Sequence, residues 1–428
     1  MCKEQNRTTE FGGLILLFFS ILMLGYFISR NNFVEEIIFF GIAWIGFWLI
    51  HRKKNNSNLF RFGLLLRILL LISTPLLSQD YIRFLWDGYL TCEGINPLHF
   101  KPSELFHFIE GDDFSVSIYE KINNKEAYST FFPLQQWTFY IAALTKSKLG
   151  GIIVLRVIII AFEIASYFVL KNIFQRYAID QNKLSLYWLN PLVILELTGN
   201  LHTEGIFICL LLTSLLSLSK MQDVRGGFFL ALSFCSALYS LFFLPLLLLK
   251  GGKYRWSRFL IGFIPLSVLA FIPFIDYNQI GAYFSSIAQG IQSNKHDISL
   301  LRLIHTFGFK KLEFIYLFYY LFAGVIILIV SWKYRYRNRK ILFKGFTLII
   351  SITLIFSPSL KPVHAIILLA LGLCTNLTFP LIWSGLAFLF YSYFDDSIPM
   401  RLKNSLAIST FLIVLIILYK DLKTLCEK

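Results

Sequence analysis

Long apolar runs separated by short polar breaks dominate the chain. A helix needs about 20 apolar residues to cross roughly 30 Å of hydrocarbon with every backbone group bonded inside the segment. The alternation typical of membrane β-strands is absent. We therefore predict an all-α fold, a polytopic transmembrane helical bundle of about 13 spans, as a single membrane domain over residues 1–428. The predicted helices lie at 11–29, 33–50, 60–78, 151–171, 184–198, 205–219, 227–249, 257–275, 312–332, 341–357, 363–378, 380–396 and 404–420. A shorter run, 132–146, is predicted to lie at the membrane surface or to enter part way.

Composition supports this class. Of the 428 residues, 56% are hydrophobic and only 15% are charged, whereas about a quarter of a soluble chain is charged. The net charge of +15 raises the possibility of nucleic-acid binding. The basic residues, however, lie in short loops between apolar runs, where the positive-inside effect places them. We expect membrane lipids around the protein and no nucleic-acid partner.

The loop charges predict an orientation. The segments 51–61, 250–258 and 333–344 carry four, four and six basic residues and no acidic one, whereas 79–131 carries nine acidic and four basic residues. Basic loops stay in the cytoplasm, so 79–131 is predicted to be an outer loop with short interfacial helices. A second outer loop is predicted at 276–311. We expect a multi-pass protein of the inner (cytoplasmic) membrane.

Two apolar runs carry features that disturb a straight helix. Both ends of 227–249 look cytoplasmic, which a break near Tyr239 and Ser240 would explain; the alternative is that one basic loop breaks the charge rule. Pro191 lies within the predicted helix 184–198, where it would produce a kink.

The outer loop opens with a set of charged residues at helical spacing. Asp80, Arg83 and Asp87 would share one helix face. A carboxylate can act as base on a hydroxyl, and a cation can hold a phosphate. The alternative is that both aspartates cap or solvate an interfacial helix.

Further polar residues are predicted on the same side of the membrane. His202 and Glu204 follow a predicted span, where they could bind substrate, bind a metal or cap the next helix. Arg302, Lys361 and His364 are the other candidates, and Arg302 is favoured for phosphate because its planar fork suits that group.

One pair of charges is predicted inside the membrane. Arg156 and Glu163 share a face of the span 151–171. Charges in a bilayer are by default functional candidates, but a structural pair, with each other or with neighbouring helices, is an equally good interpretation.

Two motifs resemble the GT-C superfamily of membrane glycosyltransferases, especially the mannosyltransferases that use polyprenyl-phosphate-mannose. Bacterial members carry a loop of the form D-x-Y-R-Y-x-W-D-G-x-x-x-x-x-G-x-N-P-Y. The matching residues are Asp80, Arg83, Trp86, Asp87, Gly88, Gly94, Asn96 and Pro97, followed by Thr130, Phe131, Phe132 and Pro133. The second motif, NPLVILELTGNLHTEG (190–205), resembles N-P-L-x-x-x-x-x-x-G-N-x-H-x-D. The chain departs from the family pattern at Glu204, which stands in place of Asp, and at Tyr239 and Ser240, where a lysine is common.

This resemblance implies an inverting transfer of a hexose, with mannose the expected sugar. It makes 79–131 the outer catalytic loop and puts the active site outside the cytoplasm. Asp80 would be the base, and the phosphate of a polyprenyl-phosphate donor would be held by Arg302 or a neighbour. The acceptor would be a glycan, a lipid or a protein. The residues expected to bind substrate are Arg83, Asp87, His202, Glu204, Arg302 and His364. No cofactor is expected, and a divalent metal ion at Asp80, Asp87 and His202 is the alternative.

Two other classes of protein fit part of the pattern. A transporter or lipid flippase would explain the spans and the charges at Arg156 and Glu163, but it predicts inverted repeats, and none is evident. A lipid-linked oligosaccharide polymerase or ligase also acts on sugars outside the membrane, but such enzymes tend to place their large loop late in the chain.

Overall fold

The computed structural model describes residues 2–52, 58–106, 113–249, 256–274, 313–335, 339–357 and 360–426. Within these ranges the protein is built from helices and contains no strand, which confirms the predicted all-α class. The predicted second outer loop, 276–311, and with it Arg302, lies outside the described residues.

The described residues up to 234 form twelve α-helices. They are α1 (Cys2–Tyr26), α2 (Phe33–His51), α3 (Leu59–Leu69), α4 (Asp80–Cys92), α5 (Pro102–Leu105), α6 (Asp113–Tyr119), α7 (Pro133–Ala143), α8 (Lys148–Arg176), α9 (Leu184–Trp188), α10 (Pro191–Val193), α11 (Glu204–Ser219) and α12 (Asp223–Phe234). A π-helix, Ile194–Gly199, continues α10, and a 3-10 turn, Gln181–Lys183, precedes α9.

The second half supplies the remaining helices of the described ranges. They are α13 (Leu244–Leu248), α14 (Trp256–Phe271), α15 (Glu313–Tyr334), α16 (Arg339–Ile355), α17 (His364–Gly372), α18 (Phe379–Leu386) and α19 (Met400–Cys426). Two 3-10 segments, Leu238–Phe243 and Ala387–Phe394, lead into α13 and follow α18.

Several of these helices can cross a membrane. Four described helices are long and apolar enough to do so, in α1, α2, α8 and α19. The segments Pro191–Gly199 and Glu204–Ser219 form a fifth candidate, bent by 114°. Other apolar helices have only 10–17 residues. The protein is a membrane protein, but the predicted number of 13 spans is not confirmed.

Some apolar runs are not continuous helices. The run 60–78 is helical only as far as Leu69, and 227–249 breaks after Phe234, a few residues before the predicted break. The predicted kink at Pro191 is wrong. Pro191 is the first residue of α10, where a missing backbone N–H leaves no helical hydrogen bond unmade. The side chain of Asn190 caps this new helix by accepting from Leu192 N at 3.0 Å.

Close helix contacts hold the loop that follows α3. A Cβ atom added at Gly88 of α4 would overlap the Phe139 carbonyl of α7, so the glycine permits the close approach of these two helices. The backbone N–H of Leu134 in α7 donates to the Cys235 carbonyl at 2.8 Å, and Asn96 donates to the Phe274 carbonyl at 2.9 Å. The outer loop, through Asn96, and the start of α7 are thus tied to the residues that follow α14 and α12.

A fully buried polar cluster joins three elements in the interior, and we call it the Arg67 cluster (Arg67, Arg156, Glu163 and Thr198). Arg67 Nη2 lies 2.6 Å from Glu163 Oε2, and both side chains are 0% exposed. Thr198 donates to the other Glu163 oxygen at 2.5 Å. Arg156 donates to the backbone carbonyls of Leu71, Ser73, Thr198 and Gly199. Arg156 and Glu163 therefore bond to neighbouring elements, and they fix the π-helix in place.

Candidate active site

Asp80 is the first residue of α4, which also contains Arg83 and Asp87, the residues whose spacing predicted a helix. Its Oδ2 lies 2.7 Å from Lys361 Nζ, and the two side chains are 37% and 32% exposed. Lys361 is 281 positions away in sequence and precedes α17. The fold thus brings the predicted base against a lysine from the C-terminal part of the chain, in a position that remains partly open.

His202 also lies beside Asp80 Oδ2. It lies in the short loop between the π-helix and α11, and its Nε2 is 3.6 Å from Asp80 Oδ2. The preceding residue, Leu201, is buried and has φ +63°, a left-handed backbone that costs free energy for a leucine. This turn directs His202 back toward the π-helix, where its Nδ1 lies 2.8 Å from Glu196 Oε2.

Glu196 is itself held by a residue far along the chain. Tyr391, in the 3-10 segment after α18, donates its hydroxyl to Glu196 Oε1 at 2.5 Å. Asn200 in turn donates to the Tyr391 hydroxyl at 2.8 Å. We call Asp80, Lys361, His202, Glu196 and Tyr391 the Asp80 cluster. π-Helical turns often occur at functional sites because they redirect a side chain, and here the turn presents Glu196 to His202.

Neighbouring charged side chains set the pKa values of Asp80 and His202. Burial alone would raise the pKa of the Asp80 carboxyl, but the Lys361 ammonium and the His202 imidazole hold it well below its usual value. Burial alone would lower the pKa of His202, but the neighbouring carboxylates of Asp80 and Glu196, the latter hydrogen-bonded to Nδ1, raise it to about 10. His202 is therefore a cation at neutral pH, and Asp80 is an anion between two cations.

His364 borders the same site. The backbone N–H of Lys361 donates to His364 Nδ1 at 3.0 Å, and the Tyr239 hydroxyl lies 3.3 Å from His364 Nε2. Because Nδ1 accepts a hydrogen bond, the ring is neutral in this arrangement. Its contacts orient the backbone of Lys361, and Tyr239 contributes to that support.

Arg83 and Asp87 lie farther along α4. Arg83 Nε lies 2.8 Å from Asp87 Oδ1, and Arg83 also donates to the Ala127 carbonyl at 2.9 Å. Ser129 and Gln136 donate to the other oxygen of Asp87, which is fully buried. These contacts close the outer loop onto α4 and α7. The Nη2 of Arg83 has no hydrogen-bond partner among the described residues, so substrate binding by this residue stays a prediction.

The remaining predicted residues are placed as follows. Glu204 is in the first turn of α11, two residues after His202, and is partly exposed. Arg302 lies outside the described residues. Among the described residues, no group of three or more His, Cys, Asp or Glu side chains is placed to hold a metal ion. A divalent metal ion at Asp80, Asp87 and His202 stays a prediction.

Sequence reasoning missed two parts of the cluster. Tyr391 lies in a long apolar run and gives no signal beyond being a polar aromatic residue in that run. Glu196 stands one turn from the outer end of a predicted helix, and its acidic side chain in an apolar run is the available signal. Lys361 is a candidate for phosphate in the sequence, but its contact with Asp80 is not predicted there.

These contacts place a partly open carboxylate beside two cations in a helical membrane protein. A family described as alpha-(1->6)-mannopyranosyltransferase, N-terminal domain (the MptA_B family) matches residues 11–250, which is more than half of the chain. The chain belongs to this family. It is a membrane glycosyltransferase of the mannosyltransferase kind, and the resemblance to the GT-C type is confirmed. No curated protein and no solved structure matches the chain.

The matched region divides the Asp80 cluster. Asp80, Glu196 and His202 lie inside residues 11–250, whereas Lys361 and Tyr391 lie beyond them. The cluster is thus completed by the part of the chain that the family match does not cover.

Proposed function

We propose that this mannosyltransferase transfers a hexose, with mannose the expected sugar, from a polyprenyl-phosphate donor to an acceptor hydroxyl at the outer face of the cell's inner membrane. The transfer inverts the anomeric carbon, and Asp80 is the base. The observation that carries this proposal is the position of Asp80, a partly exposed carboxylate with two cations on one of its oxygens. The other oxygen, Oδ1, is bonded to neither cation and is the atom to which an acceptor hydroxyl can donate.

The chemistry of the step follows from these groups. The acceptor oxygen bonds to the anomeric carbon, and its proton passes to Asp80. The bond between the anomeric carbon and the phosphate oxygen breaks, and the electron pair leaves on the phosphate. A leaving phosphate needs positive charge nearby, which Lys361 and His202 can supply and which Arg302 is predicted to supply.

The family supports a mannosyltransferase over the other two classes. A transporter or flippase does not require a partly exposed carboxylate with two cations beside it. The matched family is described as a mannosyltransferase, not as an oligosaccharide polymerase or ligase. The acceptor in this proposal is any glycan, lipid or protein that presents a hydroxyl to Asp80 Oδ1.

The test is transfer of radiolabelled mannose from polyprenyl-phosphate-mannose by purified Asp80→Asn protein. Loss of a general base lowers the rate by about 10²–10⁴-fold, and the amide keeps the shape of the side chain. Asp113→Asn is the matched control, because Asp113 is exposed at the start of α6 in the same loop and should leave the rate unchanged. Transfer by Asp80→Asn at the wild-type rate would exclude Asp80 as the base.

The proposed face of the membrane has a separate test. Cysteines introduced at positions 113 and 335 are treated with a membrane-impermeant maleimide on intact cells. We expect label only at position 113, because the loop at 79–131 is acidic and the loop at 333–344 is basic. Label at position 335 alone would invert the proposed orientation.

A further inference from the structure

Two cations lie beside Asp80, and their side chains differ in how far they can move. His202 is only 8% exposed, and Glu196 bonds its other ring nitrogen. Lys361 is 32% exposed, and it carries a compact charge on a flexible four-carbon stem. The His202 ring is therefore fixed, whereas the Lys361 ammonium can exchange one anionic partner for another.

The backbone of Lys361 is held while its side chain reaches outward. Its N–H donates to His364 Nδ1, and Tyr239, in the 3-10 segment before α13, supports that ring from the other side. A swing of the Lys361 side chain therefore needs no movement of the helix that follows it. A phosphate group entering the partly open site would meet Lys361 Nζ as a cation with three hydrogen-bond donors.

We propose that the ion pair between Asp80 and Lys361 is a latch that the phosphate group of the donor opens. This inference rests on the proposed function. When the phosphate arrives, Lys361 leaves Asp80 Oδ2 for a phosphate oxygen, and Asp80 becomes able to accept the proton of the acceptor hydroxyl. Lys361 is thus the donor-phosphate ligand in the described part of the chain, and the same movement prepares the base.

The latch has a kinetic consequence. Without donor, Asp80 is paired with Lys361 and is a weak base, because an adjacent ammonium stabilises the carboxylate. With donor bound, that stabilisation is shared with the phosphate, and the carboxylate becomes more basic. The donor therefore binds before the acceptor is activated, which couples proton removal to the presence of the sugar.

The experiment measures binding of polyprenyl phosphate, the carrier released by the reaction, to the purified protein in detergent. The variants are Asp80→Asn, Lys361→Met and the double variant. In Asp80→Asn, Lys361 no longer has to leave a carboxylate, so we expect binding about tenfold tighter than in the wild type, within the usual range of coupling between sites. Lys361→Met should weaken binding by a similar factor of about ten.

The double variant makes the test specific. Removing a negative charge at Asp80 would tighten binding of any anion at long range, and that effect would persist without Lys361. The latch instead predicts that Asp80→Asn changes the affinity of Lys361→Met protein by less than about twofold, because the coupling acts through the lysine. An unchanged affinity in Asp80→Asn, or equal tightening in both backgrounds, would overturn the proposal.

A second lysine in the outer loop provides the matched control. Lys101 is similarly exposed and pairs with Glu126, so Lys101→Met protein should bind polyprenyl phosphate as the wild type does. If Lys361→Met fails to fold, Lys361→Gln replaces it in the same cycle. The readout is binding, so it is independent of the transfer assay that tests Asp80 as the base. Normal transfer by Asp80→Asn protein would exclude Asp80 as the base. The binding measurements would still decide whether Lys361 is the ligand of the donor phosphate.

Discussion

Two polar clusters use the same π-helix. The Arg67 cluster takes Thr198 from it, and the Asp80 cluster takes Glu196. Each contains a carboxylate paired with a basic side chain at short distance, 2.6 Å between Arg67 and Glu163 and 2.7 Å between Lys361 and Asp80. The two pairs differ in how exposed their side chains are to solvent.

In the Arg67 cluster, Arg67 and Glu163 are fully buried and paired with each other; Arg67 also donates to two backbone carbonyls, and Glu163 also accepts from Thr198. Such a pair is specific in its geometry, and loss of one partner leaves a charge without compensation. In the Asp80 cluster, both members of the ion pair are partly exposed, and one oxygen of Asp80 is bonded to neither cation. Exposure therefore separates the candidate functional pair of this protein, Asp80 and Lys361, from the buried pair Arg67 and Glu163.

The largest expected effect breaks the Arg67 cluster. Arg67→Met leaves Glu163 charged and buried, and we expect a loss of about 3–5 kcal/mol in the free energy of unfolding. The change is measured as the midpoint of thermal unfolding in detergent. Lys361→Met, at the partly exposed pair, should cost less than about 1 kcal/mol.

A double variant sharpens that result. Replacing both Arg67 and Glu163 by methionine removes the buried charges together, and a well-packed apolar pair is often as stable as the ion pair it replaces. The double variant should therefore recover most of the stability lost by Arg67→Met. Equal losses in the single and double variants would show that packing, and not charge, sets the stability at this position.

A smaller effect is expected from the charge on His202. Its pKa is raised from 6.5 to about 10 in the folded protein, so its contribution to stability is fully present below about pH 6.5 and is lost as the pH rises toward 10. The titratable groups that interact with it are Asp80, Glu196, Glu204 and His364. His202→Gln should lower the free energy of unfolding by about 1.5–3 kcal/mol at pH 6.

The pH dependence decides the interpretation. The free energy of unfolding is measured for the wild type and for His202→Gln at pH 6 and at pH 9.5. The difference in this free energy between the two proteins should be smaller at pH 9.5. A difference that is equal at both values would mean that His202 contributes by packing and as a neutral ring. Glutamine keeps a donor near Glu196, so the comparison isolates the charge.

Particular residues show what the sequence could and could not predict. Apolar periodicity predicted an all-α protein, and the spacing of Asp80, Arg83 and Asp87 predicted one helix, because both signals are local. The early end of α3 and the start of α10 at Pro191 were not predicted, since hydropathy reports burial and does not report where a buried backbone turns. The contact of Asp80 with Lys361 joins residues 281 positions apart, and no local signal encodes such a contact.

The smallest of the three expected losses of stability concerns Tyr391, the member of the Asp80 cluster that is linked to Asp80 only through Glu196 and His202. Tyr391→Phe removes the hydroxyl that donates to Glu196 and accepts from Asn200. Glu196 then holds His202 less firmly, and we expect a loss of about 1–3 kcal/mol of stability, as for a buried hydrogen bond to a charged group. Transfer of the sugar should fall by about tenfold, because a misplaced His202 weakens the charge beside Asp80.

A neighbour on the same 3-10 segment provides the control. Tyr393 donates to Asn404 at 2.7 Å, outside the Asp80 cluster, so Tyr393→Phe should lose a comparable hydrogen bond without the loss of transfer. If both variants lose transfer equally, Tyr391 acts only through the stability of the 3-10 segment. The hydrogen bonds that link Tyr391 to His202 through Glu196 would then have no part in the reaction. If Tyr391→Phe alone loses transfer, a residue outside the matched region positions the charge beside the base, and the Asp80 cluster works as one unit in contrast to the purely structural Arg67 cluster.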